Sequence, residues 1–113
     1  MAHHHFRMLA RRPVSLPADV LALDGTWREE ASITDLGLGG AGLMLRRVLS
    51  VGTQLRVFLV APSLWDPLEI EGVVRWAGRP DRQQTNRLGV QFNPTSGQQV
   101  RALIDLIAST AYE

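Results

Sequence analysis

From Val14 onward apolar residues alternate with polar ones. Val14, Leu16, Ala18, Val20 and Ala22 share one face of an extended chain, the two-residue period of a half-buried strand. Asp24-Gly25 is a turn signal, and a second strand is predicted from about Trp27 to Thr34. Asp35 to Gly42 reads as a glycine-rich bend carrying Gly37, Gly39, Gly40 and Gly42. Ala41 to Arg46 resumes an extended pattern, and Val51-Gly52 marks another turn. Leu55, Val57 and Leu59 alternate with Arg56 and Phe58. Pro62 has no N–H to give to a ladder and ends that strand. In the next strand Leu68, Ile70, Gly72, Val74 and Trp76 fall on one face, and Glu69, Glu71, Val73 and Arg75 on the other. Residues 78–86 form a polar loop. Leu88, Val90 and Phe92 complete a last strand, which Pro94 stops.

The period then changes. Val100, Leu103, Ile104 and Ile107 have the spacing of an amphipathic helix running to about Ala111, whose apolar stripe is expected to face the core. Ser96 and Gln99 make a capping-box pattern at its start. Six strands followed by one helix predict a mainly-β chain, a small barrel or sandwich, with the helix packed on an open end or face.

Length and composition narrow the chemistry. The chain of 113 residues is one domain with enough residues for its own core. There is no cysteine, so disulfides and thiolate metal sites are excluded. The only histidines are His3, His4 and His5, which read as a tag remnant or tail. Hydrolytic, redox and metal chemistries therefore lack their usual residues. Glu29 with Glu30, and Glu69 with Glu71, read as solvated faces. Neither an enzyme nor a cofactor or metal is expected. No apolar run approaches a membrane span and the N-terminus lacks the apolar stretch of a signal peptide, so a cytoplasmic location without membrane insertion is expected. The net charge of +1 gives little support to duplex nucleic acid as a partner. All twelve basic residues are arginine, each a planar fork able to grip phosphate bidentately and to stack on a ring.

Two short patterns then matter together. Arg7-Met8-Leu9-Ala10-Arg11 is R-x-x-x-R just before the first strand, and Asp35-Leu36-Gly37-Leu38-Gly39-Gly40 is close to D-x-S-x-x-G just after the second. The pair resembles the PilZ domain family. Arg12-Pro-Val-Ser-Leu-Pro17, Ile70-Glu-Gly-Val-Val-Arg-Trp76 and Leu88-Gly-Val-Gln-Phe92 resemble the family's first, central and last strands, so the likeness runs from about residue 7 to 108. It implies a six-stranded antiparallel β-barrel with a C-terminal α-helix over residues 13–113. A flexible arginine-rich segment, residues 1–12, would precede it.

It also implies a ligand, the second messenger cyclic di-GMP, a ring with two phosphates and two guanines. Arg7 and Arg11, assisted by Arg12, would close over the phosphates or donate to guanine N7 and O6. Asp35 would accept from one guanine's N1–H and N2–H. The turn at Gly37, Gly39 and Gly40 would let backbone approach the ligand, and Trp76 would offer a stacking face. The family's serine is Gly37 here, which removes one hydroxyl. The function implied is a receptor whose arginine segment orders on binding and that signals through a protein partner in motility, pilus, exopolysaccharide or virulence control. The alternative is a PilZ-like interaction module that binds protein and no nucleotide.

Overall fold

The structure is a computed structural model that describes residues 12–61 and 66–110. The strands are β1 (Arg12–Ala22), β2 (Arg28–Leu36), β3 (Gly40–Leu45), β4 (Gln54–Leu59), β5 (Leu68–Ala77) and β6 (Asn86–Phe92), and the helix is α1 (Gly97–Thr110). They close into a barrel in the order β1-β2-β3-β6-β5-β4, every pairing antiparallel. Closure comes from β1, which pairs with β2 along one edge and with β4 along the other. A closed sheet has no free edge to recruit another chain.

The expected alternation holds along most strands. Leu16, Ala18 and Val20 of β1, Leu55, Val57 and Leu59 of β4, and Leu88, Val90 and Phe92 of β6 are buried in one core. Each of these leucine, valine and phenylalanine side chains contributes about 1.5–3 kcal/mol when removed from water. The outer face carries cross-strand ion pairs, Arg28 with Asp19 and Arg56 with Glu69 and Glu71. These lie between half-exposed side chains, where such pairs add little.

The β1–β2 turn is closed by its own residues. Gly25 takes φ 79°, a left-handed conformation that glycine adopts without steric penalty. The Thr26 hydroxyl and amide donate to Asp24 Oδ1 at 2.6 and 2.9 Å. These bonds, the hydroxyl's first, hold the Asp24 carboxyl below its ordinary pKa.

Helix α1 starts as its pattern predicts. The Gln99 amide donates to Ser96 Oγ at 3.2 Å, while the Gln99 side chain accepts from the Thr95 amide at 2.6 Å and donates to the Glu69 carbonyl at 3.0 Å. The last bond ties the first turn to β5. The buried stripe is rotated from the expected one. Leu103 and Leu106 enter the core with Ala102 and Ile107 beside them, whereas Val100 and Ile104 are exposed. Leu106, which the expected stripe omitted, and Leu103 lie three apart and so share a face.

Three further expectations are corrected. β2 continues through Asp35 to Leu36 and β3 already begins at Gly40, so the bend spans only Gly37 to Gly39 and Asp35 is a strand residue. β1 begins at Arg12, two residues before Val14, where the alternation is first read. Trp76 does not share the core face with Val74, for a reason that belongs to the site. No helix among the described residues is long and apolar enough to cross a membrane.

Candidate functional site

On a regular strand Ile33 and Asp35 would share a face, and so would Val74 and Trp76. Ile33 and Val74 are fully buried, so simple alternation would drive a carboxylate and an indole into the core. The register prevents this. Ile33 pairs with Leu43 but Asp35 with Gly42, which leaves Thr34 as an extra residue in β2. Val74 pairs with Val90 but Trp76 with Gly89, which leaves Arg75 extra in β5. An extra residue of this kind is a β-bulge, which re-aims the following side chain. Both Asp35 and Trp76 are thereby turned to the outer surface. A third shift, between Pro13 and Leu16 of β1, lies directly beside the one in β2.

The two re-aimed residues stand at the ends of one cross-strand row. Asp35 pairs with Gly42, Gly42 with Gly89, and Gly89 with Trp76. With neighbouring strands about 4.8 Å apart, the row runs about 14 Å along the curved wall of the barrel. The floor between them carries no side chains, and that is a packing requirement. A Cβ on Gly42 would run into the Asp35 carboxylate, and a Cβ on Gly89 would run into the Trp76 indole at Nε1, Cδ1 and Cε2. Each glycine is the hollow in which its neighbour lies. Asp35 is also held by polar contacts, since Gly42 N donates to its Oδ1 at 3.2 Å and the Thr34 hydroxyl to its Oδ2 at 3.4 Å. Trp76 is 46% exposed, with part of its ring on the floor and part open to solvent.

The β2–β3 turn borders this trough. Gly37 N donates to the Gly40 carbonyl at 2.9 Å, and Phe92 N to the Gly39 carbonyl at 2.9 Å, so the turn is tied to β6. Among the described residues only Gly25 and Gly52 are glycines with positive φ. Gly37, Gly39 and Gly40 are therefore not there to supply left-handed backbone. On the opposite side, residues 75 to 87 contain Arg75, Arg79, Arg82 and Arg87 against one carboxylate, Asp81. All five are exposed. A net charge of +1 for the whole chain conceals this local excess of positive charge, which attracts anions at short range.

The sequence-predicted residues are thus only partly assembled. Asp35 and Trp76 stand at the two ends of one cross-strand row, and the turn glycines adjoin its Asp35 end. The backbone of Arg12 pairs with Leu36, next to Asp35. Arg7 and Arg11 lie outside the described residues. The pattern reading missed Gly42 and Gly89 as site residues. The available signal was glycine inside a strand, Gly42 in β3 and Gly89 in β6, which marks a close approach by another group. Among the described residues no cluster of histidine, cysteine, aspartate or glutamate is arranged to hold a metal.

Comparison with known proteins agrees with this architecture. The sequence model of the PilZ domain matches residues 4–109. The chain belongs to the PilZ domain family. Its fold is similar to the PilZ domain with c-di-GMP of YcgR from Escherichia coli, with a TM-score of 0.73 and 18% identity over 92% of this chain and 90% of that one. It is also similar to the PilZ domain of CeSA from a cellulose-synthesizing bacterium, with a TM-score of 0.68 and 22% identity over 88% of this chain and 95% of that one. The Bacillus subtilis inhibitor of motility MotI/DgrA gives a TM-score of 0.72 at 15% identity, over 94% of this chain and 51% of that one. No curated protein matches the chain by sequence.

Proposed function

We propose that this PilZ domain is a receptor for cyclic di-GMP that passes its occupancy to a protein partner. The observation that carries the proposal is the glycine-floored row. It has an outward carboxylate and a half-open indole at the two ends of one cross-strand row. Asp35 accepts from the N1–H and N2–H of a guanine, and the free part of the Trp76 ring stacks on a base. Arginines supply the counter-charge for the phosphates. The chain enters the barrel at Arg12, paired beside Asp35. Extended backbone covers at most about 3.6 Å per residue, so Arg11 and Arg7 are both within reach of the Asp35 end. Membership of the family and a neighbour described with c-di-GMP lend support to the same ligand. In this reading the arginine segment that leads into β1 closes over the ligand, and a protein partner in the cytoplasm recognises the changed surface. Control of motility, pili, exopolysaccharide or virulence is the output that the resemblance favours.

Isothermal titration of cyclic di-GMP into the chain tests the proposal, with Arg11→Ala and Asp35→Ala alongside. Binding at micromolar concentration or tighter, lost in both variants, supports a receptor. No binding to the wild type rejects it. Gly37 favours the second reading, an interaction module that binds protein and no nucleotide, because a hydroxyl is absent from the turn beside Asp35. Under that reading Asp35→Ala changes nothing in a nucleotide titration.

A further inference from the structure

Arg75 is the residue inserted by the β5 bulge, and its side chain is not an idle surface cation. Its Nε donates to Gln91 Oε1 at 2.6 Å. Gln91 lies on the outer face of β6, two residues from Gly89, and pairs with Gly40 at the end of the glycine turn. The bond therefore draws the Arg75 guanidinium over β6, toward the trough floor and the turn. A guanidinium held through Nε keeps its two terminal nitrogens as a free fork, the geometry that grips a phosphate bidentately. No ion pair engages Arg75 among the described residues, although Glu69 and Glu71 stand on the same strand. Both carboxylates are instead drawn to Arg56 on β4. Val73 separates Glu71 from the Arg75–Trp76 pair along the outer face. The cation is thus exposed, oriented by a neutral partner, and adjacent in sequence to the proposed stacking residue.

We infer that Arg75 binds a phosphodiester of the guanine dinucleotide, and that Gln91 is the positioning residue that holds its fork. This inference rests on the receptor reading and adds to it an anion contact built into the barrel wall, independent of the arginines at residues 7–12. A base stacked on Trp76 carries its sugar-phosphate within reach of a side chain that emerges one residue earlier. Arginine is required there because a lysine ammonium lacks both the fork and the Nε bond to Gln91.

The test is a double-mutant cycle read by isothermal titration with cyclic di-GMP, with melting temperatures recorded for each protein. Wild type, Arg75→Ala, Gln91→Leu and the double variant form the cycle, and Arg75→Lys is added. Arg75→Ala is expected to weaken binding by roughly tenfold to a hundredfold, the usual effect of removing one hydrogen bond to a charged group. Arg75→Lys recovers only part of the loss. Gln91→Leu weakens binding when Arg75 is present and has no effect in the Arg75→Ala background, because its role is exercised through that side chain. Wild-type affinity in Arg75→Ala, with wild type itself binding, overturns this inference and leaves the receptor reading intact. Additive losses in the cycle overturn the positioning role of Gln91. Failure of the wild type to bind rejects both readings. Both side chains are exposed, so melting temperatures close to wild type are expected throughout.

Discussion

The two ends of the trough are built by one device and secured in different ways. At each end a bulge turns a side chain out of the core sequence of its strand, and a glycine on the neighbouring strand leaves the space in which that side chain lies. At the β2 end the side chain is a carboxylate fastened by donors from Gly42 and Thr34. At the β5 end it is an indole laid on Gly89 and left half open. A carboxylate that reads a guanine edge must stand in one place, because hydrogen bonds weaken steeply with angle. A stacking face tolerates sliding, because every base presents a π-surface. Under the proposed function, the difference separates a recognition end at Asp35 from a platform end at Trp76.

The largest expected effect is at the recognition end. Asp35→Ala removes an acceptor for two guanine donors, each bond to a charged group being worth about 1.5–3 kcal/mol, so affinity for cyclic di-GMP should fall at least about a hundredfold by titration. Gly42→Ala sharpens the comparison because it leaves the carboxylate in the chain and moves it. A loss of about tenfold or more is expected, and unchanged affinity would show that the placement of Asp35 is immaterial. At the platform end Trp76→Ala should weaken binding by about tenfold, within the ~1–3 kcal/mol range of base stacking, while Trp76→Phe retains most of it. Gly89→Ala should lift the indole off the floor, visible as a red shift in tryptophan emission that is absent when Trp76 is already Phe.

The smallest effect on binding belongs to the β1–β2 turn. Gly25→Ala places a Cβ at φ 79°, which costs about 1–2 kcal/mol and lowers the melting temperature while affinity stays at the wild-type value. The Asp24 carboxyl, held below its ordinary value of 3.8 by Thr26, contributes stability above that value. The contribution is lost as pH falls through the lowered folded value. Thr26→Ala should therefore lower stability at neutral pH, with the gap to wild type closing as pH falls below 3.8.

These two regions also mark how far the residues could be read in order. The β1–β2 turn was legible because Asp24, Gly25 and Thr26 satisfy one another locally. The inward residues of β1, β4 and β6 were legible because a two-residue period is a property of one strand. The cap of α1 was visible in Ser96 and Gln99, whereas its buried face was misplaced by part of a turn. Which helical residues are buried depends on how the helix docks against the barrel end. Asp35 could be named as a candidate and still be assigned to a turn, and Trp76 could be named and assigned to the wrong face.

The amino-acid sequence by itself determined the six strands and the closing helix, because these follow from local period and turn chemistry, while the family was indicated by the resemblance of Arg7 to Arg11 and Asp35 to Gly40 to the PilZ motifs. The tertiary structure alone decided where the bulges fall, that Gly42 and Gly89 lie between Asp35 and Trp76, and that Arg75 shares their surface through Gln91. A bulge exists only relative to the strand it pairs with, and a trough only between strands far apart in the chain. Neither can be read from one strand at a time.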